Sequence, residues 1–220
     1  IKEDINTNII GSYNFCEWAK QKRPKRVVFT SSMSVYGKIA NKVKESKICN
    51  PNSIYGMSKY YAEKLFQRLR KKNVKVTIFR LFNIYGPNQD LKNLHQGMFS
   101  IYLAQALKGN KIKVTGSLER YRDFVYISDT ISALMINPKS KKNYIMNLGT
   151  GKRNSVKKVI NIIKKELKKK KLEIKVKSSY PEDTWGSYAN ISKLKSEGWR
   201  PKINFLKGAK FTINEFQKKK

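Results

Sequence analysis

Apolar positions recur along this chain in two alternating rhythms, and the alternation itself predicts an architecture. Ile5, Ile9, Tyr13 and Cys16 return at helical spacing, so the opening segment reads as an amphipathic helix. Pro24 ends it ahead of the apolar run Val27-Val28-Phe29, which reads as a strand buried on both faces. A loop carrying Pro51 leads to a second helix from Tyr55 to about residue 72, and residues 74–81 read as the next strand. Strands alternating with helices imply a parallel sheet with crossovers. Ligands of such sheets bind beyond the carboxyl ends of the strands. Ser32 and Asn83 lie just past two such ends.

After Pro87 the pattern changes. A helix over 98–107, a strand over 112–115 and a helix over 156–167, with Val156, Val159, Ile160, Ile163 and Leu167 on one face, outline a smaller lobe. Residues 124–126 and 144–148 are expected to return to the larger sheet, so that the lobes interleave. Ser128-Asp129-Thr130 supplies capping residues for a short helix ending near Pro138. A strand over 172–177 and a helix over 206–216 complete the pattern, without an internal repeat.

The chemistry concentrates in Tyr55-Gly56-Met57-Ser58-Lys59, downstream of Ser31-Ser32-Met33-Ser34-Val35-Tyr36-Gly37. Positions i and i+4 share a helix face, which puts a phenol and an ammonium one turn apart opposite a hydroxyl-rich strand end. Spacing alone is weak, because Tyr60 and Lys64 repeat it. Only the first pair follows the strand-end serines, whereas Tyr60 falls in the apolar run Tyr60, Tyr61, Leu65, Leu69 and reads as packing. A tyrosine titrates near 10 and is a poor base at neutral pH. A cation about 4 Å away, at an effective dielectric near 20, contributes on the order of 4 kcal/mol, or about three pKa units. The expectation is a Tyr55 brought close to 7, with Ser32 holding the reacting oxygen beside it.

Five ordered motifs resemble the extended short-chain dehydrogenase/reductase family, and within it the nucleotide-sugar epimerases and dehydratases of the UDP-glucose 4-epimerase type. They are Asn8-Ile9-Ile10-Gly11-Ser12, Arg26-Val27-Val28-Phe29-Thr30-Ser31-Ser32 with the tyrosine motif after it, Arg80-Leu81-Phe82-Asn83-Ile84-Tyr85-Gly86-Pro87, Arg122-Asp123-Phe124-Val125-Tyr126-Ile127-Ser128-Asp129, and Asn147-Leu148-Gly149-Thr150-Gly151. The resemblance implies an α/β fold: part of a Rossmann-type doubly wound parallel sheet (residues 1–88 and 124–148) with a smaller substrate-binding lobe (89–123 and 149–220). It also implies an NAD-dependent enzyme, with Ser32, Tyr55 and Lys59 catalytic. Asn8, Ser31, Tyr55, Lys59 and Phe82 (through its backbone) would lie on the cofactor, and Ser32, Asn83, Gln96 and Arg122 on a nucleotide-diphosphate sugar. In the family reaction the tyrosine takes the proton of the sugar hydroxyl at carbon 4 while hydride passes to NAD, and the hydride returns to the other face. Relatives that expel water carry a carboxylic acid where this chain has Met33 and Ser34. Epimerisation therefore leads, with dehydration or keto-sugar reduction as the alternatives. A homodimer through the helices at 8–20 and 55–72 is the family expectation.

The chain departs from the family pattern in two places. It has no Gly-x-x-Gly-x-x-Gly turn for the dinucleotide pyrophosphate, and it opens at Ile1, so a sequence lacking the amino-terminal strands is expected. Tyr180 and Glu182 stand where relatives commonly carry Arg and Gly, which leaves the nucleotide open. Ser187 falls in the region that borders the sugar pocket in relatives.

Composition narrows the remaining classes. The 220 residues are 40% hydrophobic and 11% aromatic, enough for a packed core rather than disorder. No apolar run reaches the length of about 18 residues that a membrane span needs. Cys16 and Cys49 lack metal or disulfide-framework spacing, which fits a reducing cytoplasm. His95 is the single histidine and reads as a loop residue without catalytic duty. The net charge of +33 raises the alternative of a basic nucleic-acid-binding module. The excess is mostly lysine, with runs at predicted helix ends where solvated cations complement the dipole. No helix-turn-helix, zinc or aromatic-basic RNA signature accompanies it.

Overall fold

The computed structural model describes residues 1–93, 97–140, 144–178 and 185–218. Three stretches of helix open the chain end to end: α1 (Lys2–Asp4), a π-helical segment (Ile5–Ile10) and α2 (Gly11–Lys22). The strand β1 (Val27–Ser32), a 3₁₀ turn (Met33–Tyr36), β2 (Ala40–Val43), α3 (Ile54–Arg70), β3 (Val76–Leu81) and β4 (Asn83–Tyr85) follow. Beyond them come α4 (Met98–Lys108), β5 (Lys111–Thr115), β6 (Tyr121–Arg122), β7 (Phe124–Tyr126), α5 (Ile127–Leu134) and β8 (Ile145–Leu148). The described chain closes with β9 (Asn154–Ser155), α6 (Val156–Glu166), β10 (Glu173–Lys177), β11 (Gly186–Ala189), α7 (Ser192–Ser196) and α8 (Phe205–Lys218).

A three-stranded sheet is parallel in the order β1-β3-β8. Its register pairs Ser31 with Arg80 and Ser32 with Leu81, so both chemical motifs leave the sheet at the same end. Residues 145–148 join this sheet as expected, but Phe124–Tyr126 does not. It pairs in parallel with β4 in a separate two-stranded sheet. The reason lies at Phe82, whose N–H donates to Leu148 O while that of Asn83 turns to Asp123 O, so the chain changes partners at that step.

A four-stranded sheet, β2-β11-β6-β9, has no counterpart in the sequence reading. Its strands are two to four residues long, too short for an alternation to register. β10 pairs in parallel with β5, as a small sheet on the second lobe.

Two further expectations are corrected. Val28 is 36% exposed, so β1, at the sheet edge, is not buried on both faces. The first helix buries Ser12, Cys16 and Ala19, while Ile5 and Tyr13 are exposed. The π-helical turn inserts extra residues and rotates the Ile5/Ile9 stripe away from the Cys16 face. Burial pushes the Cys16 thiol up to about 11, which makes it a packing group and not a nucleophile. Tyr60 packs against the core as expected, with Lys64 Nζ 4.6 Å above its ring. Among the described residues no helix is long and apolar enough to cross a membrane.

Candidate active site

Two close backbone approaches build the site. Ser53 caps α3, its hydroxyl accepting from Gly56 N–H at 3.1 Å. A Cβ on Gly56 would lie 2.6 Å from Ser34 O, so only glycine lets the first turn of α3 press against the 3₁₀ turn. Ser32 in turn caps that 3₁₀ turn: its hydroxyl accepts from Ser34 N–H at 3.1 Å and bonds the Ser34 hydroxyl. The helix start and the strand end are thereby locked face to face.

Tyr55, Lys59 and Ser32 meet in this junction. Tyr55, 42% exposed, stands beside Ser32, whose hydroxyl favours the ionised form of the phenol. Lys59 Nζ donates to Thr30 O at 3.2 Å and lies 5.9 Å from the centre of the Tyr55 ring. Asn8, from the π-helical segment, donates to the Ser58 hydroxyl at 3.0 Å and to Asp4 Oδ1 at 3.4 Å. It therefore joins the same group from the helix side.

The electrostatics differ from the expectation of a phenol brought close to 7. Burial pushes the Tyr55 phenol above its ordinary value; the Ser32 hydrogen bond opposes this, and the Asp4 carboxylate adds to it. Burial also lowers the Lys59 amine, with Asp4 pulling the other way. Lys59 directs one of its N–H groups at Thr30 O and lies 5.9 Å from the centre of the Tyr55 ring. Asp4 is thus an anion facing both groups, and spacing on one helix could not reveal it. Asp4→Asn is expected to move the titration of both Tyr55 and Lys59 to lower pH while keeping an acceptor for Asn8. NMR titration of carbon-13 tyrosine would follow the phenol, and a midpoint that stays or climbs would refute the assignment.

Of the sugar-side candidates, Asn83 lies against Met33, next to Ser32. Asn83 Nδ2 donates to Asp123 O at 3.1 Å and approaches Met33 Sδ at 3.9 Å. The buried Ser187 hydroxyl approaches the same sulfur at 4.0 Å. Met33, which stands where an acid would serve dehydration, is therefore flanked by Asn83 and Ser187. Arg122 donates to Tyr121 O at 2.9 Å. Phe82 is buried, with its N–H committed to Leu148 O. The Ser31 hydroxyl points away from the Ser32 side and donates to Glu63 Oε1 at 2.6 Å. Gln96, His95 and the 180–183 segment lie outside the described residues.

The sequence reading missed Asp123, Glu63 and Arg80 as site supports. The Asp123 carboxylate is fully buried and accepts from the backbone N–H groups of Thr150, Gly151 and Ala189 and from the Thr150 hydroxyl. Burial pushes its carboxyl up against those donors. A Cβ on Gly149 would meet it at 2.6 Å, which explains the glycine in the Asn147–Gly151 motif. Among the described residues no cluster of His, Cys, Asp and Glu could hold a metal ion.

The sequence model of the NAD dependent epimerase/dehydratase family matches residues 1–149, well over half of the chain. The chain belongs to that family. Similar to this epimerase/dehydratase chain is a putative UDP-glucose 4-epimerase of Methanocaldococcus jannaschii, at 35% identity over 96% of the chain and 69% of the relative. UDP-glucuronic acid decarboxylase 6 of Arabidopsis thaliana is 32% identical over 97% of the chain and 63% of the relative. Among solved structures, UDP-glucose 4-epimerase of Thermotoga maritima with UDP-glucose superposes with a TM-score of 0.91 at 30% identity. That match covers 99% of the chain and 72% of the neighbour. The family assignment and the α/β Rossmann-like fold agree with the expectations from sequence. The chain spans roughly two thirds of the length of these relatives.

Proposed function

We propose that the protein carrying this sequence is an NAD-dependent nucleotide-sugar epimerase acting at carbon 4, with Tyr55 removing and returning the hydroxyl proton. The observation that carries the reading is the junction of the first turn of α3, bearing Tyr55, with Ser32 at the carboxyl end of β1, beside a Met33-Ser34 pair that has no acid for expelling water. Ser32 holds the reacting oxygen within reach of the phenol, and Asn83 and Arg122 supply polar contacts for the sugar and its diphosphate. An amide and an ammonium beside a half-exposed phenol suit the hydroxyls of a ribose, so Asn8, Tyr55 and Lys59 fit the nicotinamide end of NAD. When bound, NAD supplies the acceptor and donor of hydride and a positively charged ring. Because burial and Asp4 hold the Tyr55 proton, the rate should rise with pH as the phenol ionises.

The protein is tested with UDP-hexoses and NAD, with products resolved by NMR. Interconversion of carbon-4 epimers without net NADH supports the proposal. Accumulation of a 4-keto-6-deoxy sugar, steady NADH consumption on a keto-sugar, or CO2 release from UDP-glucuronate would each reassign the protein within the family. The last outcome is included because relatives as similar as the plant decarboxylase exist.

A homodimer through α2 and α3 belongs to the same proposal. Phe15 and Trp18 on α2 form an exposed ring pair 5.3 Å apart, and Tyr61 on α3 is exposed as well. Aromatic faces of this kind are common at subunit interfaces. Sedimentation velocity is expected to give twice the monomer mass, and a monomer at micromolar concentration would remove the dimer.

A further inference from the structure

Besides the stacked rings of Phe29 and Phe66, three polar side chains of helix α3 face the end of strand β1, and only two of them are reacting groups. Tyr55, Lys59 and Glu63 are spaced by four residues and share one face of α3. Tyr55 faces Ser32, Lys59 donates to Thr30 O, and Glu63 Oε1 accepts from the Ser31 hydroxyl at 2.6 Å. Glu63 is 0% exposed and Arg80, on β3, is 4% exposed. The two form a two-pronged ion pair: Arg80 Nε to Oε1 at 2.9 Å and Nη2 to Oε2 at 2.7 Å. Arg80 is held on its other sides as well. It lies over the Tyr36 ring at 4.7 Å and donates to Glu45 O at 3.4 Å, while the Tyr36 hydroxyl donates to Asn147 Oδ1 on β8 at 2.6 Å. A desolvated, bidentate carboxylate–guanidinium pair tolerates little change in angle, unlike a contact between apolar groups.

We propose that Glu63 and Arg80 are positioning residues for the reaction. They fix the rotation and height of α3 against β1, so that the Tyr55 phenol stays beside the Ser32 hydroxyl. A buried ion pair is a poor source of stability compared with apolar residues of similar volume. Fixing a geometry is the role such a pair fills better than an apolar contact. The proposal rests on the assignment of Tyr55 as the proton-transfer group, and it adds that the helix register behind Tyr55 is set by charge.

The test replaces the pair as a whole, by Glu63→Met with Arg80→Met, and separately removes the strand contact alone, by Ser31→Ala. Carbon-13 tyrosine NMR on the full chain, with the Tyr55 signal assigned by its loss in Tyr55→Phe, reads the phenol directly. In both variants the Tyr55 midpoint is expected to move toward that of free tyrosine. In the double variant kcat should fall about 10²-fold, as expected for a displacement of about 1 Å, with KM for the nucleotide sugar within about twofold of wild type. A folded double variant with wild-type Tyr55 titration and wild-type kcat would overturn the proposal and leave the pair a packing element. Should the double variant not fold, Ser31→Ala decides by itself, and an unmoved Tyr55 midpoint there overturns the proposal too. The titration needs no turnover. A protein inactive on every nucleotide sugar would therefore defeat the catalytic reading while leaving this one to be judged by the phenol.

Discussion

Tyr55→Phe is expected to lower kcat by about 10²–10⁴-fold, the range general acid–base groups contribute, with KM for the nucleotide sugar nearly unchanged. The phenyl ring keeps the packing against α3 and the half-exposed position of the tyrosine, so the substitution removes little besides the hydroxyl. Ser32 keeps its bonds to Ser34 when that hydroxyl is lost. The folded structure should survive intact, and circular dichroism with a melting curve within a few degrees of wild type would verify this. A variant turning over at the wild-type rate would refute the whole assignment, because Tyr55 is the phenol placed beside the strand-end serine.

Gly37→Ala is expected to cost more than about 4 kcal/mol of folding stability, a loss reserved for a few specific mechanisms. Two of them operate here together. Gly37 has φ +72° and ψ −140°, a backbone conformation that residues with a side chain rarely adopt. An added Cβ would also sit 1.8 Å from Asn50 O, and backbone there cannot move aside without carrying Pro51 and the entrance to α3 with it. Thermal or urea unfolding of the variant gives the comparison. A midpoint close to wild type would mean that the 3₁₀ turn and the loop before α3 are not in the contact described.

The convergence of Ser32, Tyr55 and Lys59 was legible because it depends on local rules. A strand end and a helix face place their side chains by period alone, and the parallel sheet brings them to one side. What escaped the sequence came from contacts between segments far apart in the chain. Burial, with Asp4 from another helix adding to it, raises the Tyr55 phenol, so arithmetic on the Tyr55/Lys59 spacing gave the wrong direction. Glu63 sits on the same face as Lys59, yet its burial depends on Arg80, and an inward-facing acid on a helix is visible only once its partner is known. The π-helical turn shifted the phase of the first helix, and no period of 3.6 anticipates it. Phe124–Tyr126 was apolar enough for the large sheet, but the step at Phe82 and Asn83 delivered it to β4.

The pairing of β2 with β11 has a bearing on how the protein is made. Ala40–Val43 emerges from the ribosome early and Gly186–Ala189 late, yet the two lie in parallel register, and β11 alone bridges β2 to β6. Contacts so distant in sequence form slowly. Until translation reaches Ala189, the strand under Met33 is absent, and a nascent polypeptide holds its serine–tyrosine junction without the wall that Ser187 provides. Assembly of the Met33 side of the junction is thus a late event in biosynthesis.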